Sequence, residues 1–309
     1  MKLGFVGLGR MGRAIIWHLL EQDTDIVLYN RTREKSEQFL KEYQAESSKH
    51  EAYGELILAY DYKEFIKLID GGQRAVWIMV DHGPAVDEVI DNLIVSGISR
   101  DDIVIDGGNS FYKDSIRRYK KLKEMGVNFL DVGTSGGLEG ARKGACLMVG
   151  GDQEAFNIVK PVLEKIAVSG GLTYFGPTGS GHFVKMVHNG VEYGMLAAIG
   201  EGFEILSKKA NKVDLSLVAQ NWSNGSVVRG WLMDLLARAF SKDPNLSQYQ
   251  GTVGGGPTGE WTIETAKELM AEAPVIKASL EARKKSKTRP TFSGKVVAAL
   301  RHEFGGHTD

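Results

Sequence analysis

Six residues near the start constrain this chain more than any other feature: Gly7-Leu8-Gly9-Arg10-Met11-Gly12. They follow an apolar run, Leu3–Val6, that reads as a strand, and they open an amphipathic segment over about 12–22. A glycine-rich turn of this spacing bends tightly, lets the backbone approach a pyrophosphate and sets that group on the helix N-terminus. A second strand, Ile26–Tyr29, follows where such a unit needs it. A tight turn with a purely structural role is the bland alternative. The strand–turn–helix–strand order favours a dinucleotide held by residues 7–12.

Short apolar runs and helical stretches go on alternating through the first half. Further strands are expected at Ala75–Val80, Ile103–Asp106, Val127–Asp131 and Cys146–Val149, and helices at about 32–43, 84–95 and 112–124. Asp61-Tyr62-Lys63-Glu64 has the form of a capping box opening another helix. Strands that are apolar throughout, separated by helices, predict a parallel doubly wound sheet covered on both faces. After Pro177 the strand pattern stops. Residues 179–210 read as one long helix, with further helical patterns near 214–221, 227–240, 261–272, 275–286 and 291–304. The expected organisation is a Rossmann-type α/β domain over 1–177 and an all-α domain over 178–309.

The end of the second strand selects between dinucleotides. A site for NAD usually has Asp or Glu there for the ribose 2′-hydroxyl. This chain reads Tyr29-Asn30-Arg31-Thr32-Arg33, with no carboxylate. Arg31 can face a 2′-phosphate through charge-assisted hydrogen bonds, or it can be a solvated residue at a helix start. The first reading makes NADP the expected cofactor, with NAD the lesser alternative, and adds Asn30, Arg31 and Thr32 to its contacts.

Within the long helix, Lys185, His188, Asn189 and Glu192 fall at i, i+3, i+4 and i+7. At about 100° per residue they share an arc of about 100°. Such a stripe can be a solvated face. Phe183, Val184, Met186, Val187, Val191, Met195 and Leu196 occupy most of the remaining circumference, however, which predicts a buried helix whose polar stripe lines a cavity. A buried lysine loses basicity by desolvation and can accept a proton near neutrality. Glu192 would supply a complementary acid.

Composition narrows the partners. Lys and Arg number 38 against 39 Asp and Glu, so nucleic acid, which calls for a strongly basic face, is not an expected partner. No run approaches the roughly 18 apolar residues of a membrane span, and Gly4, Gly7 and Arg10 interrupt any signal-peptide core. One cysteine, Cys146, precludes an internal disulfide and fits a cytoplasmic protein; in its apolar surroundings it is expected to be a small core residue. No His/Cys/Asp cluster has metal-ligand spacing.

The motifs together resemble the decarboxylating 6-phosphogluconate dehydrogenases, especially a shorter bacterial form with an abbreviated helical domain. The resemblance spans nearly the whole chain. It rests on Gly7–Gly12, Asn30-Arg31-Thr32, the Asp-Gly-Gly-Asn-Ser run at 106–110, Ser135-Gly136-Gly137 within 135–144, and the block at 181–194, with later matches at 259–262 and 301–307. It implies Lys185 as base and Glu192 as acid. Asn109, Ser135, Gly136, Gly137, His188 and Asn189 match positions that contact the sugar acid or the nicotinamide, with Val80 and Asn109 among the cofactor contacts. Tyr193, Thr262 and Arg283 match positions around the substrate phosphate. Arg301 and His307 match tail residues donated by a neighbouring subunit, which implies a homodimer or higher homo-oligomer. One departure stands out: Glu260 occupies a position where the family usually carries a basic residue for the phosphate. Arg229 could compensate, or brace a helix.

The reaction so implied is oxidative decarboxylation of 6-phosphogluconate to ribulose 5-phosphate and carbon dioxide with reduction of NAD(P), in the oxidative pentose phosphate pathway. Two other readings remain: a β-hydroxyacid dehydrogenase acting on an unphosphorylated acid, and a catalytically silent NADP-binding regulator. A paired acid and base argues against the regulator.

Overall fold

The strands are β1 (Leu3–Val6), β2 (Ile26–Tyr29), β3 (Leu56–Ala59), β4 (Ala75–Ile78), β5 (Ile103–Asp106), β6 (Asn128–Ser135), β7 (Ala145–Gly151) and β8 (Ala167–Tyr174). In the computed structural model, which describes residues 2–49, 53–69, 72–209 and 213–308, they form one sheet in the order β3-β2-β1-β4-β5-β6-β7-β8. Helices α1 (Arg10–Leu20), α2 (Arg33–Ser47), α3 (Tyr62–Leu68), α4 (Pro84–Ser96), α5 (Tyr112–Lys123), α6 (Gly137–Lys143) and α7 (Gln153–Ile166) connect the strands. The fold is the expected Rossmann-type α/β unit followed by a helical one.

Successive strand residues point to opposite faces, and the sheet carries a core on each. Phe5, Trp77, Ile105 and Leu130 lie in one apolar cluster, with α1 and α7 contributing Ile15, Leu19, Val159 and Leu163. Their neighbours Val76, Ile78, Val104 and Phe129 lie in the other, with Phe65 of α3 and Ile90 of α4. Burial on both faces explains why these strands read as continuous apolar runs. At α3 half of the expected capping box forms: the N-cap Asp61 accepts from Glu64 N at 2.8 Å, while Glu64 turns back to accept from Tyr60 N, one residue before the cap, at 2.7 Å.

The sheet departs from an all-parallel one. β6 and β7 pair antiparallel, with Ser135 opposite Cys146 and Val132 opposite Val149. The link between them, residues 136–144, is shorter than the dozen or so residues a parallel crossover needs. β3 and β8 were not expected from the sequence. β8 is half-exposed and contains Gly170-Gly171, which reads locally as a turn; pairing with β7 overrides that preference. Cys146 corrects another expectation, because it is exposed on β7 while Ala145 and Leu147 on either side are buried.

The chain divides into two compact units, Met1–Lys185 and Met186–Asp309. By compactness the division falls inside helix α8 (Ser180–Ser207), whose first turn lies directly on the sheet. A Cβ on Gly181 would stand 2.3 Å from Asp131 O and 2.4 Å from Met148 O. The second unit contains the rest of α8 with α9 (Leu215–Ser223), α10 (Trp231–Lys242), α11 (Thr258–Glu268), α12 (Pro274–Ser286) and α13 (Phe292–Gly305). Its core gathers Leu196, Phe203, Leu236, Phe240, Val296 and Leu300.

Candidate active site

In the first unit the glycine-rich turn stands between β1 and α1. Gly7 has φ +108°, and a Cβ there would meet Met79 O at 2.3 Å, so only glycine fits. Gly9 is the N-cap of α1, with no capping side chain and no acidic residue in the first turn. Among the described residues, a Cβ on Gly9 would meet nothing within 4 Å. An uncapped helix N-terminus facing open space leaves N–H groups and the positive end of the helix dipole for an anion. The residues present therefore fit a dinucleotide pyrophosphate.

A cavity of about 700 Å³ opens at that turn. Gly7, Leu8, Gly9, Arg10, Met11 and Gly12 line it, as do Asn30, Arg31 and Thr32, Val80 and Asn109. Asn30 braces the turn: its Oδ1 accepts from Leu8 N at 3.0 Å, and its Nδ2 donates to Thr32 O at 2.9 Å. The two arginines differ. Arg33 pairs with Glu37 at 2.8 Å and stacks over Tyr60, whereas Arg31 is exposed at the cavity wall. Lys35 also lines the cavity and escaped the sequence reading. It lies in the first turn of α2, six residues beyond the end of β2, where no motif marks it.

The Asn109 loop is anchored from below. Asp106 Oδ1 accepts from Gly108 N at 3.2 Å, and Asp106 Oδ2 takes Arg118 Nη1 at 3.1 Å. Arg118, 1% exposed, also donates to Ser110 Oγ and Gly83 O. A buried cation with this many acceptors is a fully satisfied clamp. Ser135 ends β6, and Gly136 and Gly137, both at positive φ, turn the chain into α6.

Lys185 is buried, 8% exposed, at the end of this unit. Its aliphatic stem lies over Gly133 of β6. Farther along α8, His188, Asn189 and Glu192 are half-buried, and His188 Nδ1 is 3.1 Å from Asn189 Oδ1. The helix is not apolar and buried all round, as its sequence had suggested. Val187, Val191 and Met195 are 38%, 50% and 51% exposed.

In the second unit Tyr193 and Arg283 meet, the guanidinium carbon 3.6 Å from the ring centroid. Both line a cavity of about 270 Å³. Arg283 is 8% exposed, and among the described residues its Nη1 has no hydrogen-bond partner. Burial pushes its pKa down, the Tyr193 side chain opposes that, and Arg301 lowers it further. A buried guanidinium with an unsatisfied N–H is suited to an anion. Thr262 Oγ1 is already committed, 3.0 Å from Met186 O and 2.8 Å from Thr258 O. Glu260 pairs with Lys284 at 3.1 Å, both well exposed. Arg229 is exposed.

The chain end differs from the expected tail. Residues 301–305 belong to α13, and Arg301 is 6% exposed within its own unit, where its charge bears on Arg283. His307 lies beyond the helix, its ring against Phe304 and Gly305.

An open, uncapped pyrophosphate cradle on a Rossmann sheet and a buried lysine on the helix that leaves it define a dinucleotide-dependent oxidoreductase. The chain belongs to the 6-phosphogluconate dehydrogenase family: residues 2–176 match the NAD binding domain of 6-phosphogluconate dehydrogenase, and residues 181–302 match its C-terminal domain. It is 48% identical over 99% of its length to Bacillus subtilis YqeC, whose designation as a 6-phosphogluconate dehydrogenase is provisional, covering 98% of that protein. It is 38% identical to the NAD(+)-dependent decarboxylating 6-phosphogluconate dehydrogenase of Haloferax volcanii, with 99% of this chain and 98% of that one covered. A solved 6-phosphogluconate dehydrogenase from Plasmodium falciparum superposes with a TM-score of 0.82 at 34% identity, over 94% of this chain and 62% of the longer one.

Proposed function

We propose that this protein oxidatively decarboxylates 6-phosphogluconate to ribulose 5-phosphate and carbon dioxide. The observation that carries the reading is Lys185, a buried amine held on β6 in the unit that holds the dinucleotide cradle. A bound nicotinamide supplies the acceptor for the hydride from C3. Lys185 takes the C3 hydroxyl proton, leaving a β-keto acid. The resulting ammonium donates to the C3 carbonyl oxygen, which draws in the electron pair of the C1–C2 bond as carbon dioxide departs. Glu192 returns a proton to the carbon that lost carbon dioxide, giving the ketose. Arg283, buried beside Tyr193 with an unused N–H, supports a phosphorylated acid as substrate.

NADP is the proposed cofactor. Arg31 at the cavity wall supports it, with Lys35 adding a second positive charge. A homodimer is the proposed assembly, in the cytoplasm. Val187, Val191, Met195 and Ile205 leave an apolar stripe exposed on α8, of the kind that marks an interaction surface. Any exchange of chain ends between subunits falls to His307 and its neighbours beyond Gly305.

Glu260 favours a second reading, a β-hydroxyacid dehydrogenase acting on an unphosphorylated acid, because a carboxylate held by Lys284 cannot grip a phosphate. One assay separates the two: purified protein with 6-phosphogluconate or unphosphorylated gluconate, with NADP or NAD, following reduced cofactor and released carbon dioxide. Carbon dioxide from 6-phosphogluconate supports the first reading. Oxidation of the unphosphorylated acid alone supports the second.

A further inference from the structure

His182 lies in the first turn of α8, three residues before Lys185, and is 1% exposed. Its Nδ1 is 2.7 Å from Ser115 Oγ of α5, and its Nε2 is 3.1 Å from the carbonyl of Gly108. A carbonyl can only accept, so Nε2 carries a proton; in the neutral ring Nδ1 then accepts from the Ser115 hydroxyl. Ser115 is itself fully buried. The backbone of the same residue is held as well: Asp131 Oδ2 accepts from His182 N at 2.8 Å, and Asp131 Oδ1 accepts from Gly179 N at 2.7 Å. The imidazole thus ties the start of the lysine-bearing helix to the loop that presents Asn109 to the cofactor cavity. That loop is fixed from its other side by Asp106 and Arg118.

We propose that His182 is a positioning residue for the oxidation step, acting through Lys185. The inference rests on the reading of Lys185 as the base. Hydride and proton leave the same carbinol, so the amine and the nicotinamide end of the cavity must be held in one geometry. A misplacement of about 1 Å can cost on the order of 10²-fold in rate. A buried histidine that merely satisfies its hydrogen bonds would contribute stability instead, and the two roles predict different kinetics.

The test compares His182→Gln, His182→Leu and Ser115→Ala in the full chain, measuring kcat, both KM values and thermal melting. Gln keeps an N–H that can reach Gly108 O; Leu removes it. His182→Leu should lower kcat by roughly 10–100-fold with both KM values within about twofold. His182→Gln should recover most of that loss, and Ser115→Ala should fall between. Nitrogen chemical shifts of the wild-type ring should show the proton on Nε2 that the Gly108 carbonyl requires. Wild-type kcat in the Leu variant, a Gln variant no better than Leu, or a ring without a proton on Nε2 would each overturn the proposal. If the Leu variant does not fold, the Gln and Ser115→Ala variants with the nitrogen shifts still decide. Absence of turnover in the wild type defeats the underlying reading of Lys185, and it shows before any variant is made.

Discussion

A Cβ added to Gly133 would stand 2.3 Å from the Cβ of Lys185 and 2.8 Å from its Cγ. The stem of the candidate base therefore rests on bare backbone of β6, and the absence of a side chain at 133 sets where the amine can go. Gly133→Ala should displace Lys185 at the scale of an overpacked core, about 1–3 kcal/mol. We expect a fall in kcat of at least tenfold with cofactor affinity unchanged, read by steady-state kinetics and cofactor titration. Unchanged kcat would mean that the lysine's placement does not matter to the chemistry.

Lys185→Met keeps the aliphatic stem and removes the amine. Turnover should fall at least ~10²-fold, the scale of losing a general base, while circular dichroism stays that of the wild type. Near-normal turnover would end the assignment.

Arg31→Ala should weaken NADP far more than NAD, because only NADP carries a 2′-phosphate. Loss of one charge-assisted contact corresponds to roughly 1.5–3 kcal/mol. Arg33→Ala is the control, since Arg33 is engaged with Glu37 and Tyr60. Equal losses of both cofactors in Arg31→Ala would make that residue structural.

Glu260→Lys breaks an exposed ion pair worth about 0–1 kcal/mol, so melting should hardly move. If the substrate phosphate comes near this helix start, KM for 6-phosphogluconate should drop roughly tenfold, the size of one charge-assisted hydrogen bond. An unchanged KM would show that the phosphate lies elsewhere.

Val191→Glu and Met195→Glu place charges on the exposed apolar stripe of α8. Each should shift a dimer toward monomer in light scattering while leaving the α-helical signal intact. A wild-type chain already monomeric would remove that surface from the assembly.

Much of the site was legible before any tertiary information, because its chemistry is local. The turn at Gly7–Gly12, Arg31 at the end of β2, the N-cap at Asp61 and the Lys185, His188, Asn189, Glu192 stripe each depend on residues a few positions apart. Windows of that length carry helical and strand periodicity directly. The apolar circumference of α8 misled for the same reason: periodicity shows that Val187, Val191 and Met195 are apolar, but not whether the chain covers them.

What the sequence by itself determined is the alternation of β1, β2, β4, β5 and β6 with the helices between them, a glycine turn fit for a pyrophosphate, and the helix that bears the lysine. Only the tertiary structure decided that β7 runs antiparallel, that β3 and β8 join the sheet, that Gly133 lies under Lys185, that His182 joins Gly108 to Ser115, and that Arg301 is buried within its own unit. These last relationships join residues far apart in the chain. A missing side chain at 133 or a ring at 182 acquires its role from the backbone and side chains that packing brings against it, and no local pattern records them.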